Sequence, residues 1–187
     1  MESSGAFCNQ LLIAMPGLND PQFHATVTLV CEHNADGALG IVINRPLSMA
    51  LGELLAQLSL TATDQKTANS QIYSGGPVAV DRGFVLHNSA VEFESSLSVS
   101  DDIKLTFSRD VLDAMAAGKG PDKTLVALGY AGWAAGQLEQ EMLANSWLSV
   151  PASPEIVFDL AYQDRWHAAA RSLGIDMSRL SPDAGHA

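Results

Sequence analysis

Short apolar runs bounded by turn residues recur along the chain, a pattern that predicts β-strands. The runs are too brief for helices, and several are rich in the β-branched residues that favour strands. Thr26 to Cys31 and Leu39 to Ile43 flank the turn residues 34–37, so together they predict a β-hairpin. The other predicted strands are Gln10 to Met15, the two segments that flank Gly75-Gly76-Pro77, weak edge strands within Val91 to Lys104, and Thr124 to Tyr130.

Four further stretches have the composition and spacing of helices. Pro46 is expected to end the preceding strand, and Ser48 to cap a helix whose leucines form one stripe as far as Leu58. Ser108 is expected to cap a second helix, which ends at a left-handed Gly118. The other two helices are predicted from about Ala134 to Asn145 and from about Asp164 to Leu173, with a loop at residues 61–70.

Strands and helices mix without a strict β-α-β order, which favours a mixed-sheet α+β domain over a doubly wound parallel sheet. The 187 residues fit one domain, with flexible ends expected near residues 1–8 and 180–187. Alternation in the last predicted strand assigns side chains to two faces. One face would carry Leu125, Ala127 and Gly129, and the other Val126, Leu128 and Tyr130.

The formal net charge of −11 narrows the class of partner. Affinity for DNA and RNA comes largely from Lys and Arg that neutralise phosphates, and the ten basic residues here are scattered. Direct nucleic-acid binding is therefore not expected, and a basic or neutral partner is favoured over an acidic one. The hydrophobic fraction of 47% is typical of a soluble globular protein.

The cysteines and the N-terminal segment predict a cytoplasmic location. Cys8 and Cys31 form neither a disulfide framework nor a CxxC pair, so two reduced thiols are expected. The first residues lack the basic region and apolar segment of a secretory signal. No apolar run approaches the roughly 18 residues that a membrane-spanning helix needs.

Two segments of the chain, Asn44-Arg45 and Gly75-Gly76, offer groups that could bind an anion. Arg45 follows Asn44 where a buried strand ends, and its guanidinium is a planar fork of donors that suits a carboxylate or phosphate. The structural alternative is that Arg45 pairs with an internal carboxylate while Asn44 satisfies the backbone of the turn. Gly75 and Gly76 permit close backbone approach, so their amides could cradle an anion, although a sharp turn is the alternative.

His87 ends the strand Phe84-Val-Leu and is the histidine expected to point into a cleft, where it could act as a general acid or base. The alternative is a structural histidine. Glu32 and His33 are adjacent, so on a strand they face opposite sides, and neither a metal site nor a cofactor is expected. Ser74-Gly75-Gly76 is not the nucleophile elbow of a serine hydrolase, and no catalytic triad is recognisable.

The helix predicted from about Ala134 to Asn145 carries a polar stripe, and one aromatic residue precedes it and another follows it. Residues at intervals of four line one face of a helix. An aromatic wall beside amide and carboxylate groups is typical of a ligand or peptide pocket, and a solvated helix face is the alternative. The polar residues are Gln137, Glu141 and Asn145, and the aromatic residues are Trp133 and Trp147.

Three motif blocks carry a family resemblance. The first reads Glu32-His33-Asn34, Gly37-Ala38-Leu39-Gly40 and Val42-Ile43-Asn44-Arg45-Pro46. The second reads Gly75-Gly76-Pro77-Val78 and Arg82-Gly83-Phe84-Val85-Leu86-His87, and the third Gly129-Tyr130-Ala131-Gly132-Trp133 and Gly136-Gln137-Leu138-Glu139. In this order, and with Asn145, Trp147 and the closing Gly185-His186-Ala187, they resemble the AlgH/YqgE family of bacterial proteins over nearly the whole chain.

The resemblance implies a small cytoplasmic domain whose branched sheet folds into a pseudo-barrel with helices packed outside. It also implies a regulatory role, because the best-known name in the family comes from control of alginate production in pseudomonads. No catalytic residue and no cofactor come with it. Since the chain has no helix-turn-helix pattern and is acidic, regulation would be indirect, through a protein partner or a small ligand.

Two functional hypotheses follow. The first is a non-enzymatic binding or regulatory protein that uses a cleft between the Asn44-Arg45, Gly75-Gly76 and Trp133–Trp147 blocks. The second is a small-molecule hydrolase or transferase in which His87 or Glu141 is the acid–base group and Arg45 clamps an anion. A third reading is that the motifs serve only the sheet topology.

Overall fold

The structure, a computed structural model, describes residues 5–17, 20–21, 23–88 and 90–174. Its strands are β1 (Gln10–Ala14), β2 (Val27–Asn34), β3 (Gly37–Val42), β4 (Pro46–Ala50), β5 (Gln71–Ser74), β6 (Val78–His87), β7 (Ser96–Ser98), β8 (Lys104–Thr106), β9 (Thr124–Ala134) and β10 (Trp147–Pro151). Its helices are α1 (Leu51–Gln57), α2 (Gln65–Ala68), α3 (Asp110–Ala116), α4 (Gln137–Leu143) and α5 (Tyr162–Arg171), with a π-helical turn at Glu155–Asp159.

Within these residues the strands form one branched sheet in the order β10-β1-β2-β3-β9-β6-β8-β7, with β4 and β5 off this path. The hairpin of β2 and β3 is confirmed, and most neighbours are antiparallel. β5 instead runs parallel to β9, so the sheet is mixed. The sheet curls into a half-barrel in a single domain, which confirms the expected α+β class and branched sheet.

The curled sheet buries apolar side chains on both faces. The inner face packs against α5 and the π-helical turn, through residues such as Leu29, Ile41 and Ala169. The outer face is covered in two places, by α1 and α3 over β5, β6 and β9, and by α4 over β1, β2 and β9. The candidate site lies at the end of the inner face of the sheet, where β2, β3, β6 and β9 meet.

The helix that follows β4 keeps its predicted leucine stripe but not its predicted cap. Leu51, Leu54 and Leu55 are buried, as expected. Residues 46–50, however, pair with β5 as a strand, so Pro46 begins a strand rather than ending one. Ser48 lies inside that strand, and the helix begins after Ala50, whose N–H donates to the Glu53 carboxylate at 2.7 Å.

Other boundaries also differ from the predictions. Residues 61–70 contain α2, because the Asp64 carboxylate accepts from the Thr67 N–H at 2.7 Å and caps a short helix. Gly118, with φ +74°, follows the end of α3, as expected. α4 starts three residues after Ala134, since β9 extends to that residue.

Gly75 and Gly76 stand where the sheet branches. β9 pairs with β5 through residues 126–128 and with β3 through residues 131–134. The Gly75 N–H donates to the Leu128 carbonyl at 2.8 Å, and the Gly75 carbonyl accepts from the Val42 N–H at 2.9 Å. A Cβ on Gly75 would lie 2.3 Å from the Gly129 carbonyl oxygen, so only glycine fits between the two strands.

The predicted assignment of β9 side chains to two faces is wrong beyond Gly129. Its φ of +79° interrupts the regular alternation, because an extended strand needs negative φ. Before it, Leu125 and Ala127 face inward as one set. After it, Tyr130 packs on the inner core, and Trp133 on the outer one. Tyr130 therefore shares a face with Ala127, not with Val126 as alternation predicts.

A second irregularity lies in β2, where the register with β3 shifts between Val30 and Glu32. Cys31 belongs to the inner core, and Glu32 is paired with Leu39, which packs on that same core. His33 lies on the outer side, in contact with α4. The expectation that Glu32 and His33 face opposite sides is confirmed.

The predicted flexible ends fall mostly outside the described residues, which omit 1–4 and 175–187. Within residues 5–8, the Gly5 N–H donates to the His33 carbonyl at 2.6 Å. Among the described helices, none has both the length and the apolar character needed to cross a bilayer.

Candidate functional site

A cavity of about 490 Å³ opens at the end of the inner sheet face, where β2, β3, β6 and β9 meet. The residues that line it have carboxylate, amide, aromatic and aliphatic side chains. Among the described residues that line it there is no Lys, Arg or His. The lining residues are Glu32, Asn34, Asp36, Gly37, Ala38, Leu39, Val78, Tyr130, Gly132 and Trp133. We call this the acidic cavity.

The two strand irregularities create the acidic cavity. The shift in β2 turns Glu32 onto the inner side of the sheet. Asn34, two residues further along, lies on the same face. The left-handed Gly129 turns Tyr130 and Gly132 onto the same side. Gly132 is paired with Leu39 and has no side chain, so space remains between Leu39 and Tyr130.

Hydrogen bonds fix the polar wall of the acidic cavity. The Asn34 amide donates to Glu32 Oε1 at 3.3 Å, and its oxygen accepts from the Asp36 N–H at 2.8 Å. On the opposite wall, the Tyr130 ring packs edge-on against Phe84 with their centroids 5.6 Å apart. The cavity therefore presents hydrogen-bond acceptors on one side and a supported aromatic ring on the other.

A smaller cavity of about 190 Å³ brings the first two predicted blocks together. Arg45 and Gly76 both line it, with Ser74 and Pro77. Gly75 does not serve as an anion-binding amide, because its N–H is bonded to the Leu128 carbonyl. Gly75 instead continues the pairing beyond β5, and the Gly129 carbonyl leaves no room there for a side chain.

Asn44 and Arg45 bind the segment that precedes β2. The Asn44 side chain accepts from the Val27 N–H at 2.9 Å and donates to the Ala25 carbonyl at 3.0 Å. The Arg45 guanidinium donates to the carbonyls of Pro21 and His24, at 2.8 and 3.2 Å. Asn44 therefore satisfies backbone groups, as its structural alternative proposed. Arg45 bonds backbone carbonyls of the same segment, and the Asp20 carboxylate lies near enough to act on its guanidinium electrostatically. Burial lowers the pKa of Arg45, and nearby Asp20 opposes that shift.

The third block forms an aromatic cluster around the Glu141 carboxylate. Trp133 and Trp147 are 6.2 Å apart between ring centroids, and Phe23 packs against both. Glu141 lies beside both indoles, and burial raises the pKa of its carboxyl group while contacts with the indoles and with Gln137 oppose the shift. Within the described residues, Glu141 Oε2 and Trp147 Nε1 are buried without a hydrogen bond of ordinary geometry. The predicted grouping of Trp133, Trp147 and Glu141 is therefore observed as a packed cluster.

Asn145 is not part of the polar stripe. It lies beyond the end of α4 with φ +58°, a left-handed conformation that Asn tolerates better than most residues. Its backbone N–H donates to the Met142 carbonyl at 3.1 Å, which closes the helix. Gln137 lies at the start of α4, and its side-chain oxygen accepts from the Ala134 N–H at 3.0 Å.

His87 does not face a cleft. Its side chain is fully buried, with Nε2 2.7 Å from Thr106 Oγ1 and the ring edge-on to Phe93. Burial lowers the pKa of His87, and Lys104 adds to the shift. Phe93 packs on the cluster of α1 and α3, whereas Glu141 packs with the tryptophans near α4. The structure therefore separates the acid–base candidates of the enzymatic hypothesis.

Another histidine, His33, joins the N-terminal segment to α4. Its Nε2 lies 2.6 Å from Glu139 Oε1, and its Nδ1 accepts from the Phe7 N–H at 3.3 Å. Since Nδ1 accepts, Nε2 carries the proton and donates to Glu139. Among the described residues, no three His, Cys, Asp or Glu side chains are placed to share a metal ion.

Sequence reasoning missed the acidic cavity. Glu32, Asn34 and Asp36 are spaced by two, which is the spacing that puts side chains on one face of a strand. That spacing could have marked them as a polar wall. Tyr130 and Gly132 could not have been added, because their face depends on the conformation of Gly129.

Known proteins match this chain both in sequence and in architecture. The model of the AlgH-like family matches residues 11–178. A UPF0301 protein of Nitrosococcus oceani is 51% identical and one of Thioalkalivibrio sulfidiphilus 53% identical, each over the full length of both chains. The solution structure of the AlgH protein from Pseudomonas aeruginosa matches all of both chains with a TM-score of 0.81 and 48% identity. A crystal structure from Corynebacterium diphtheriae, at 21% identity and a TM-score of 0.73 over 95% of this chain and 92% of that one, shares the fold.

Proposed function

We propose that this chain, which belongs to the AlgH-like family, is a non-enzymatic binding protein that acts in regulation by holding a partner or ligand in the acidic cavity. The observation that carries the proposal is the cavity itself. It is about 490 Å³, within the range of sites for small molecules or single side chains, and it joins acceptors to an aromatic wall. A cytoplasmic location, expected from the sequence, belongs to the same proposal.

The charge of the chain supports a protein or small-molecule partner over DNA. The net charge is −11, and the lining of the acidic cavity adds Glu32 and Asp36 to the surface facing a ligand. DNA is a polyanion, so an acidic surface repels it. A regulatory effect on transcription would then pass through the partner and not through operator binding.

Filling the cavity tests this function. Gly132 lines it, has no left-handed backbone, and a Cβ there would contact only the Tyr130 ring, at 3.4 Å. Gly132→Leu should therefore fill the space between Leu39 and Tyr130 while the fold is kept. The control is Gly17→Leu, because a Cβ on Gly17 would have no heavy atom of the described residues within 4 Å.

Native mass spectrometry of each form, purified gently from the host cells, provides the measurement. We expect a bound species on the wild type and on Gly17→Leu that is absent from Gly132→Leu. Equal occupancy of Gly132→Leu and wild type would contradict the proposal. So would tight, sequence-dependent binding of duplex DNA at physiological salt, measured by fluorescence anisotropy.

A further inference from the structure

We infer that the acidic cavity recognises a guanidinium group, and that this group is an arginine side chain of a partner protein. The inference rests on the proposed binding function and names the chemistry of its ligand. It draws on the charge, hydrogen-bonding capacity and aromatic wall of the cavity, and on the exposed apolar residues beside it.

The polar wall selects a cation rich in donors. Glu32 and Asp36 bring two carboxylates, and no basic side chain among the described lining residues neutralises them. Each carboxylate offers about four acceptor sites, and the Asn34 amide occupies one site on Glu32. A guanidinium has five N–H donors in a fixed plane and pairs with carboxylates through two parallel hydrogen bonds.

The aromatic wall favours guanidinium over ammonium. The Tyr130 ring is held edge-on against Phe84, so its own position is fixed by packing. A guanidinium is planar and weakly hydrated, so it stacks on an aromatic ring more readily than the compact, strongly hydrated ammonium of lysine. The same pairing already occurs within this chain, where the Arg82 guanidinium lies 5.9 Å from the Phe84 ring centroid.

The rim of the cavity favours an arginine carried by a protein over a free small molecule. The start of β6 bulges away from β9, since Val78 pairs with Tyr130 and Gly83 with Leu128, so five steps along β6 match only two along β9. Val78 lines the cavity and is 40% exposed, and Val80, two residues further along β6 and in the lining of the smaller cavity, is 62% exposed. A small ligand confined to the cavity would leave Val80 in water, whereas the chain around an arginine would cover it.

Isothermal titration calorimetry can separate these features. The probes are the peptides acetyl-Gly-Arg-Gly-amide and acetyl-Leu-Gly-Arg-Gly-Leu-amide, the matched peptides with Lys for Arg, and n-butylguanidinium as a free guanidinium with the same single positive charge. The proteins are the wild type, the double variant Glu32→Gln/Asp36→Asn, and the charge control Glu92→Gln/Asp101→Asn. The control residues are exposed and lie outside the cavity lining. Their substitution removes the same number of negative charges as the cavity double variant.

We expect the arginine peptides to bind wild type at least about tenfold more tightly than the lysine peptides. The cavity double variant should weaken arginine binding by about tenfold or more, and the charge control by less than about twofold. Tyr130→Phe should keep the affinity, whereas Tyr130→Leu should lose about fivefold, because only the ring is needed for stacking. The longer peptide should bind more tightly than n-butylguanidinium.

Specific results would overturn the inference. Equal binding of arginine and lysine peptides would reject guanidinium selectivity. Equal weakening by the charge control would assign the effect to overall charge instead of the cavity. Binding of n-butylguanidinium as tight as that of the longer peptide would reject the partner protein as the source. If no basic probe binds while the species lost from Gly132→Leu persists on wild type, the guanidinium inference fails and the proposed function stands.

Discussion

The substitution Gly129→Ala should destabilise the protein far more than its backbone conformation alone would require. Gly129 has φ +79°, a region in which a side chain costs about 1–2 kcal/mol. A Cβ would also lie 2.5 Å from the Gly76 carbonyl oxygen and 3.0 Å from that of Val78. Both contacts are with backbone, so relief requires strands to move, which costs a further 1–3 kcal/mol, roughly. The expected loss is about 2–5 kcal/mol.

Gly136→Ala separates the two contributions. Gly136 has φ +76°, nearly the same conformation, but within the described part of the chain a Cβ there would meet no heavy atom within 4 Å. It should lose only the conformational part, about 1–2 kcal/mol, and both variants share the entropy lost from the unfolded state. Urea unfolding followed by far-ultraviolet circular dichroism measures both free energies. If Gly129→Ala loses no more than Gly136→Ala, the close strand crossing at Gly129 does not constrain the fold and the reasoning is refuted.

Three further predictions concern buried polar side chains. Arg165 is 4% exposed, and its guanidinium donates to two backbone carbonyls. Arg165→Lys should therefore lower the free energy of unfolding, measured by urea denaturation, by about 2 kcal/mol. An unchanged urea midpoint would contradict this prediction. The pKa of His87 is lowered by burial and by Lys104, so the unfolded state binds more protons below about pH 6.5 and wild-type stability should fall there as pH decreases. The stability of His87→Gln should depend less on pH in that window, and parallel profiles would show that His87 contributes nothing. His33→Phe removes the acceptor of the Phe7 N–H, so hydrogen exchange of that amide should speed up about fivefold, the equivalent of about 1 kcal/mol, with unchanged exchange as the contrary outcome.

Sequence reasoning placed the elements that depend on local patterns. The hairpin of β2 and β3, the leucine stripe of α1 and the glycine after α3 were all predicted, because each depends on neighbouring residues. It also placed Trp133 and Trp147 beside Glu141, since the two tryptophans flank the helix that carries Glu141, but it wrongly added Asn145 to the stripe on that helix. It did not predict that Pro46 would start β4, because that strand forms only by pairing with β5.

Burial of single polar residues was beyond local patterns. His87 sits at the end of a strand, which suggests exposure, yet Thr106 and Phe93 enclose it from other elements. Arg165 reads as a solvated helical residue, but α5 packs on the inner face and carries it to the Ile43 carbonyl. In both cases the partners come from distant parts of the chain.

The sequence by itself determined most of the strands and helices, the positions of the glycines and the acidic charge, because these follow from residue type and short-range spacing. Only the tertiary structure decided which side chains share the acidic cavity. A single residue out of step in β2 and a left-handed Gly129 in β9 each shift the side-chain alternation, and they bring Glu32 and Tyr130 to the same face. Because alternation has a period of two, one such residue changes the face of every side chain that follows it, and the surrounding strands fix where that residue lies.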